Sequence, residues 1–148
     1  MIKPVSKSTA PFRWEDIEIR PYKERGTFFK AISRQTLVKD LPGFSGEVRY
    51  FELEPGGYST LERHKHAHAV LVVRGRGAVL IGDTVYEIAP LDVIRIPPMT
   101  WHQFRAPTDE YLGFICLVDN QRDRPQRPTE EDLKALRKNP TVASFIRI

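Results

Sequence analysis

The sequence predicts an all-β fold, a barrel or sandwich of short strands, and three observations carry that expectation. Between residues 27 and 118 the chain runs in segments of about four to eight residues, closed by Gly, Pro or Asp. β-branched and aromatic residues concentrate inside those segments, as in Val70-Leu71-Val72-Val73 and Phe114-Ile115-Cys116-Leu117-Val118. All four histidines, His64, His66, His68 and His102, fall in two segments of this kind, each next to a Gly or Pro turn.

Taken in order, residues 1–26 are rich in Pro and charge and read as an N-terminal arm, with a possible short strand at Ile17-Glu18-Ile19. The arm is expected to pack on a barrel formed by residues 27–118, or on a partner subunit. Residues 27–38 carry one or two strands, and Asp40-Leu41-Pro42-Gly43 marks a turn. Residues 48–53 form a strand that runs into Pro55-Gly56-Gly57, read as a second turn. Residues 78–81 and 85–88 flank Gly82-Asp83-Thr84 as a tight hairpin. Strands at 92–96, 102–105 and 111–118 follow, the first stopped by Pro97-Pro98. Residues 119–148 are a polar, Pro-rich linker and a C-terminal helix. Thr129 caps that helix over residues 130–138, with acids first and bases last as the helix dipole prefers. The tail Val142-Ala143-Ser144-Phe145-Ile146 is too apolar to be left in water and docks on the barrel or on a second copy.

A chain of 148 residues is the size of one domain, and 41% hydrophobic with 28% charged residues is enough to bury a core. Cys116 is the one cysteine, which excludes an internal disulfide and fits a reducing compartment; its expected role is that of a small buried residue. No apolar run reaches about 18 residues, so no membrane partner is expected and a cytoplasmic location is. The net charge of +4 and pI near 9.3 raise the question of nucleic acid. The basic residues are interleaved with 19 acidic ones and form no tract, so no nucleic-acid partner is expected, while anionic small substrates are favoured.

The segment Glu62-Arg63-His64-Lys65-His66-Ala67-His68 carries the chemistry. On a strand, residues at every second position share a face and each pair rises about 6.6 Å. Glu62, His64, His66 and His68 therefore fall on one side, with Arg63, Lys65 and Ala67 on the other. Two imidazoles of an H-x-H pair can converge on one ion at about 2.0–2.1 Å each. Four such positions on a straight strand cannot, because the outer pair stands roughly 20 Å apart. Either the strand turns in the middle or one of the four is not a ligand.

Gly56, five residues, Glu62, one residue, His64, three residues, His68, six residues and Gly75 match the spacing of the first motif of the cupins, which the chain thereby resembles. The run from Leu91 to Ala106 resembles the second motif and supplies His102. Leu91 and Met99 stand where that motif usually has glycine, and Ala106 where it usually has Asn. The resemblance covers about residues 45–118 and implies a double-stranded β-helix, or jelly-roll, barrel of the small conserved-barrel type. It also implies one divalent transition ion, held by His64, His68 and His102 as the firmest set. Cupins usually place His, His and Glu at the three ligand positions of the first motif, whereas this chain has Glu62, His64 and His68. Two shells remain open. In one, Glu62 completes the set and His66 lies in a turn; in the other, His66 replaces Glu62 and the site holds four imidazoles. Imidazole with carboxylate suits Fe, Mn, Zn or Ni, so the donors alone do not choose the metal.

The resemblance implies a metal-dependent enzyme on a small-molecule substrate, with a non-haem metal dioxygenase as the leading expectation. A redox-silent isomerase, cyclase or lyase is the alternative, with Glu62 as general base if it is not a ligand and His66 acting on turnover. A metal-dependent binding or sensing module is a third class, and a structural metal a fourth. A homodimer is expected because the apolar tail and open sheet edges need covering; light scattering that returned a monomer at micromolar concentration would remove that expectation.

Overall fold

The computed structural model describes residues 2–6, 12–23 and 26–148; the remainder of the expected arm, residues 1, 7–11 and 24–25, lies outside them. In chain order the described elements are β1 (Val5–Ser6), β2 (Arg13–Trp14), β3 (Arg20–Pro21), β4 (Lys30–Val38), β5 (Gly46–Tyr58), β6 (His68–Gly75), β7 (Gly77–Ile81), β8 (Thr84–Ile88), β9 (Val93–Ile96), β10 (His102–Arg105), β11 (Leu112–Asp119), α1 (Glu130–Leu136) and α2 (Pro140–Phe145). β4, β5, β11, β6 and β9 make one wall and β10, β7 and β8 the other, each strand antiparallel to its neighbours. The walls join where Arg105 of β10 pairs with Tyr58 at the end of β5, which curls the sheet into a jelly-roll barrel. No helix among the described residues is long and apolar enough to cross a membrane.

The period-2 pattern explains the core. Phe51 and Leu53 of β5, Val70 and Val72 of β6, Phe104 of β10 and Phe114 of β11 point inward and pack together. The opposite face of β5 is closed by the arm: Trp14 and Phe12 pack on Tyr50. Glu52, 2% exposed, there accepts hydrogen bonds from the Tyr50 hydroxyl at 2.6 Å, Arg74 at 2.7 Å and the Phe12 amide at 3.2 Å. A second cluster seals the β7–β8 wall from outside, with Leu133, Val142, Phe145 and Ile146 against Leu61 and Leu80. The apolar tail is thus covered within its own chain.

Three expectations are corrected. Pro55-Gly56-Gly57 does not end a strand, because β5 runs through it. β4 pairs with β5 on both sides of the irregularity, Ile32 with Leu53 and Lys30 with Tyr58, so the extra residues form a bulge, with Gly56 at φ 77°. In the arm, Ile17-Glu18-Ile19 is not a strand; the arm's strands are β1, β2 and β3, and β3 pairs Arg20 and Pro21 with Arg34 and Ser33. The C-terminal helix stops at Leu136 rather than at residue 138. Its Thr129–Asp132 capping box starts it as the sequence suggests. A second helix, α2, follows with Asn139 as N-cap and Pro140 at its first turn, where the fixed proline φ costs nothing.

The two positions where glycine is usual keep the backbone that glycine would adopt: Leu91 has φ 76° and Met99 φ 55°. The Leu91 amide donates to the Val72 carbonyl at 2.8 Å, and the Met99 amide to the His64 carbonyl at 2.7 Å, so the bonds are made at the cost of a left-handed side chain. That cost is about 1–2 kcal/mol per residue, against about 0.5–1 kcal/mol of extra chain entropy for glycine. Leu91 is 79% exposed and has little burial to lose. Leu91→Gly is therefore expected to stabilise the fold by about 0.5 kcal/mol, read as a rise in the urea midpoint. A fall in the midpoint would show that Leu91 makes packing contacts which outweigh its strain.

Candidate metal centre

Residues 59–67 bring the ligand segment across the barrel mouth. Glu62 and His102 exchange backbone hydrogen bonds, at 3.2 Å and 3.0 Å, so the two histidine segments are zipped together. The chain then bends at Lys65-His66 before His68 opens β6. An extended run would set His64 and His68 about 13 Å apart; the bend brings their rings to 4.5 Å between centroids. Asp123, from the linker after β11, holds the bend. Its carboxylate accepts from the Lys65 amide at 2.9 Å, the His66 amide at 3.1 Å and the His66 ring Nδ1–H at 2.8 Å. These bonds, the Lys65 amide first, hold the Asp123 carboxyl well below the usual carboxylate range.

His64, His68 and His102 each offer one ligand atom, and the three atoms lie within 4.8 Å of one another. A carbonyl only accepts, so Nδ1–H of His64, 2.7 Å from the His66 carbonyl, and Nδ1–H of His102, 2.9 Å from the Thr100 carbonyl, must be donors. In both rings Nε2 is then the atom with the free lone pair. The Nε2 atoms of His64 and His68 are buried without any hydrogen-bond partner. Buried polar atoms in folded proteins are usually satisfied, and two orphaned imidazole nitrogens from one segment, facing His102 from another, fit a divalent ion such as Fe, Mn, Zn or Ni. Nδ1 of His68 meets the Cys116 thiol at 3.3 Å, and burial pushes that thiol up to about 12, which keeps it neutral.

Burial is the main reason these rings stay uncharged. It lowers His102 to about 4 and His68, with the His102 and His64 rings adding repulsion, to about 2; His64 is lowered by burial and by His66. The unfolded imidazole takes a proton near about 6.5, so between that pH and the folded values only the unfolded chain is protonated. The sign is fixed: this stability is complete above about pH 6.5 and is lost as pH falls toward 4 and below. At pH 5 the loss is about 2 kcal/mol for each of His68 and His102. Urea midpoints of chelator-treated protein are expected to fall steadily from pH 7.5 to pH 5, whereas a flat profile would mean that the rings are solvated.

Glu62 and His66 stand outside the three-histidine group. Glu62 is 6% exposed, and its Oε2 lies 2.5 Å from Lys23 Nζ. His66 stacks flat on His64, centroids 3.7 Å apart and planes 4° apart, with Nδ1 tied to Asp123. Asp123 and Lys23 were not legible as site residues. Asp123 is the sole acid in residues 121–128, a signal visible only in retrospect. Arg34 is a third omission: it sits opposite Phe51 in the β4–β5 register, next to the apolar pair Ile32 and Leu53.

Two cavities flank the group. One of about 840 Å³ beside His68 is walled by Phe44, Ala67, Pro97, Leu117 and Val118 among others. The other, about 590 Å³, lies beside Glu62 and is lined by Tyr22, Lys23, Arg34, Thr60, Arg124 and Arg127 among others.

Comparison with known proteins agrees with this architecture. The family described as "Cupin domain" matches residues 49–118. A Rhodospirillum rubrum protein named 1-methylthio-D-xylulose 5-phosphate methylsulfurylase is 48% identical over 145 residues, covering 97% of this chain and 92% of its own. The crystal structure of a cupin 2 conserved barrel domain protein from Rhodopseudomonas palustris is 49% identical over the whole of both chains, with a TM-score of 0.91. A cupin-2 domain structure from Rhodospirillum rubrum is 50% identical over 90% of this chain and 89% of that one, with a TM-score of 0.85. On the barrel, the two histidine segments and these relatives, the chain belongs to the cupin superfamily.

Proposed function

We propose that this protein is a metal-dependent enzyme acting on a phosphorylated methylthio-ketose, the substrate class in the name of its Rhodospirillum rubrum relative. The observation that carries the reading is a three-imidazole group with an apolar groove beside its His68 and a cation-lined cavity beside Glu62, which pairs with His102. A ketose phosphate bearing a thioether needs those three environments: one for its carbonyl and hydroxyl oxygens, one for its phosphate and one for its methylthio end. A divalent ion held by His64, His68 and His102 supplies Lewis acidity toward a carbonyl or hydroxyl oxygen.

The chain's own groups then have distinct tasks. His66, its Nδ1–H fixed on the Asp123 carboxylate, keeps Nε2 as the atom that takes and returns a proton. Glu62, buried and countered by Lys23, is the second candidate base at the edge of the cationic cavity. The groove beside His68 gives a methylthio group an apolar wall. This chemistry is of the carbonyl-polarising kind, the redox-silent alternative to a dioxygenase.

The test is anaerobic incubation of protein loaded in turn with Fe(II), Mn(II), Zn(II) and Ni(II) with 1-methylthio-D-xylulose 5-phosphate, followed by ³¹P NMR. Consumption without oxygen, abolished by chelator, is the expected result. Consumption that requires oxygen uptake would return the assignment to a dioxygenase, and no consumption with any of the four ions would remove the substrate class.

A further inference from the structure

We propose that the cavity walled by Arg34, Thr60, Arg124 and Arg127 is a phosphomonoester-binding site that holds the substrate's phosphate beside the metal centre. This rests on the reading of the substrate as a phosphorylated ketose.

One buried donor in this cavity, Nε of Arg34, has no hydrogen-bond partner, and Oγ1 of Thr60, 2% exposed, has only the Tyr22 hydroxyl of the same lining beside it. Buried donors carry a penalty until something accepts from them. Charge points the same way. Among the described residues the lining holds four cations, Lys23, Arg34, Arg124 and Arg127, and one carboxylate, Glu62, which is paired with Lys23. Three guanidiniums of that set are left without a carboxylate of the set. A phosphomonoester brings a charge of about −1.5 to −2 and three acceptor oxygens, and guanidinium forks match that geometry better than they match a lone carboxylate. Arg34 is also under strain from its surroundings: burial and the neighbouring Arg49 lower its proton affinity, with only Glu47 opposing them. An anion in the cavity relieves both the desolvation and the repulsion.

Position ties the cavity to the metal centre. Thr60, Glu62 and His64 alternate along one extended stretch, while Leu61 between them faces the helices on the other side. A ligand bonded to Thr60 Oγ1 therefore lies on the side from which His64 approaches the ion.

The experiment measures binding on Zn-loaded protein by calorimetry, with inorganic phosphate, D-xylulose 5-phosphate and D-xylulose as probes, beside metal content for each variant. D-xylulose is expected to bind at least about tenfold more weakly than its 5-phosphate. Arg34→Gln and Arg124→Gln are each expected to raise the Kd of both phosphate probes at least about tenfold, the loss of one charge-assisted hydrogen bond, with metal content unchanged. Unaltered phosphate affinity in both variants would overturn the site, since phosphate would then be bound elsewhere, the ion included. If Arg34→Gln melts early, Arg124→Gln and Arg127→Gln in the linker decide the question. Arg-dependent binding of D-xylulose 5-phosphate without turnover of the methylthio compound would sink the proposed substrate and leave this site standing. Turnover that ignores both substitutions would do the reverse.

Discussion

A His102→Ala variant is expected to purify almost free of metal, while the wild-type chain holds about one divalent ion. Changing only an outer hydrogen-bond partner of a metal-binding histidine typically costs about 10–100-fold in affinity, and here one of three imidazoles is removed. The Nε2 atoms of His64 and His68 come from one segment, and of the three histidines His102 alone comes from the strand across from it. Loss of more than about 100-fold in affinity is the expected scale, read as metal per chain after dialysis against micromolar ion. Turnover should vanish with the metal. Full loading of His102→Ala would mean that the second histidine segment has been assigned the wrong role.

Two companions separate the shells left open by the sequence. His66 is bonded to Asp123 and lies outside the three-histidine group, so His66→Ala should keep its metal and lose turnover. Glu62 is engaged by Lys23, so Glu62→Gln should lose far less metal than His102→Ala. An empty His66→Ala beside a loaded Glu62→Gln would instead describe a four-histidine centre.

Much of this is legible in the sequence, and the reason is periodicity. The alternation in residues 93–96, 102–105 and 112–119 follows directly from inward and outward faces, as Phe104 and Phe114 show. The histidine spacing was readable for the same reason, and so was the need for a turn, because four positions on one strand cannot reach one point. What could not be read was whatever depends on closure in space. Asp123 reaches back 57 residues to His66, and no local pattern announces it. Glu52 and Tyr50 lie on the face of β5 away from the barrel core, and the arm that buries them comes from far back in the sequence. Pro55-Gly56-Gly57 has turn chemistry, but β4 continues alongside and converts the turn into a bulge. At Leu91 and Met99, where the cupin pattern usually has glycine, the backbone is left-handed all the same, so the spacing is readable there although the residue type is not.

Gly75 is where a single methyl group should do most damage to the fold. It closes β6, pairs with Leu112 and has φ 65°, a conformation that costs an alanine about 1–2 kcal/mol. A Cβ built there would stand 1.7 Å from the Tyr111 carbonyl oxygen, which is backbone and cannot rotate away. Moving it means displacing the start of β11, the strand that pairs with both β5 and β6. Forced overpacking of this kind adds about 1–3 kcal/mol, so Gly75→Ala should lose about 2–5 kcal/mol in total. At this chain length that corresponds to a fall of about 5–15 °C in Tm. Gly56→Ala is the control: its φ of 77° carries the same backbone cost, but nothing lies within 4 Å of the added atom. A fall of only about 3–6 °C is expected there. Equal losses in the two variants would show that backbone conformation alone sets the cost, and that the loop at Tyr111 gives way to the methyl group.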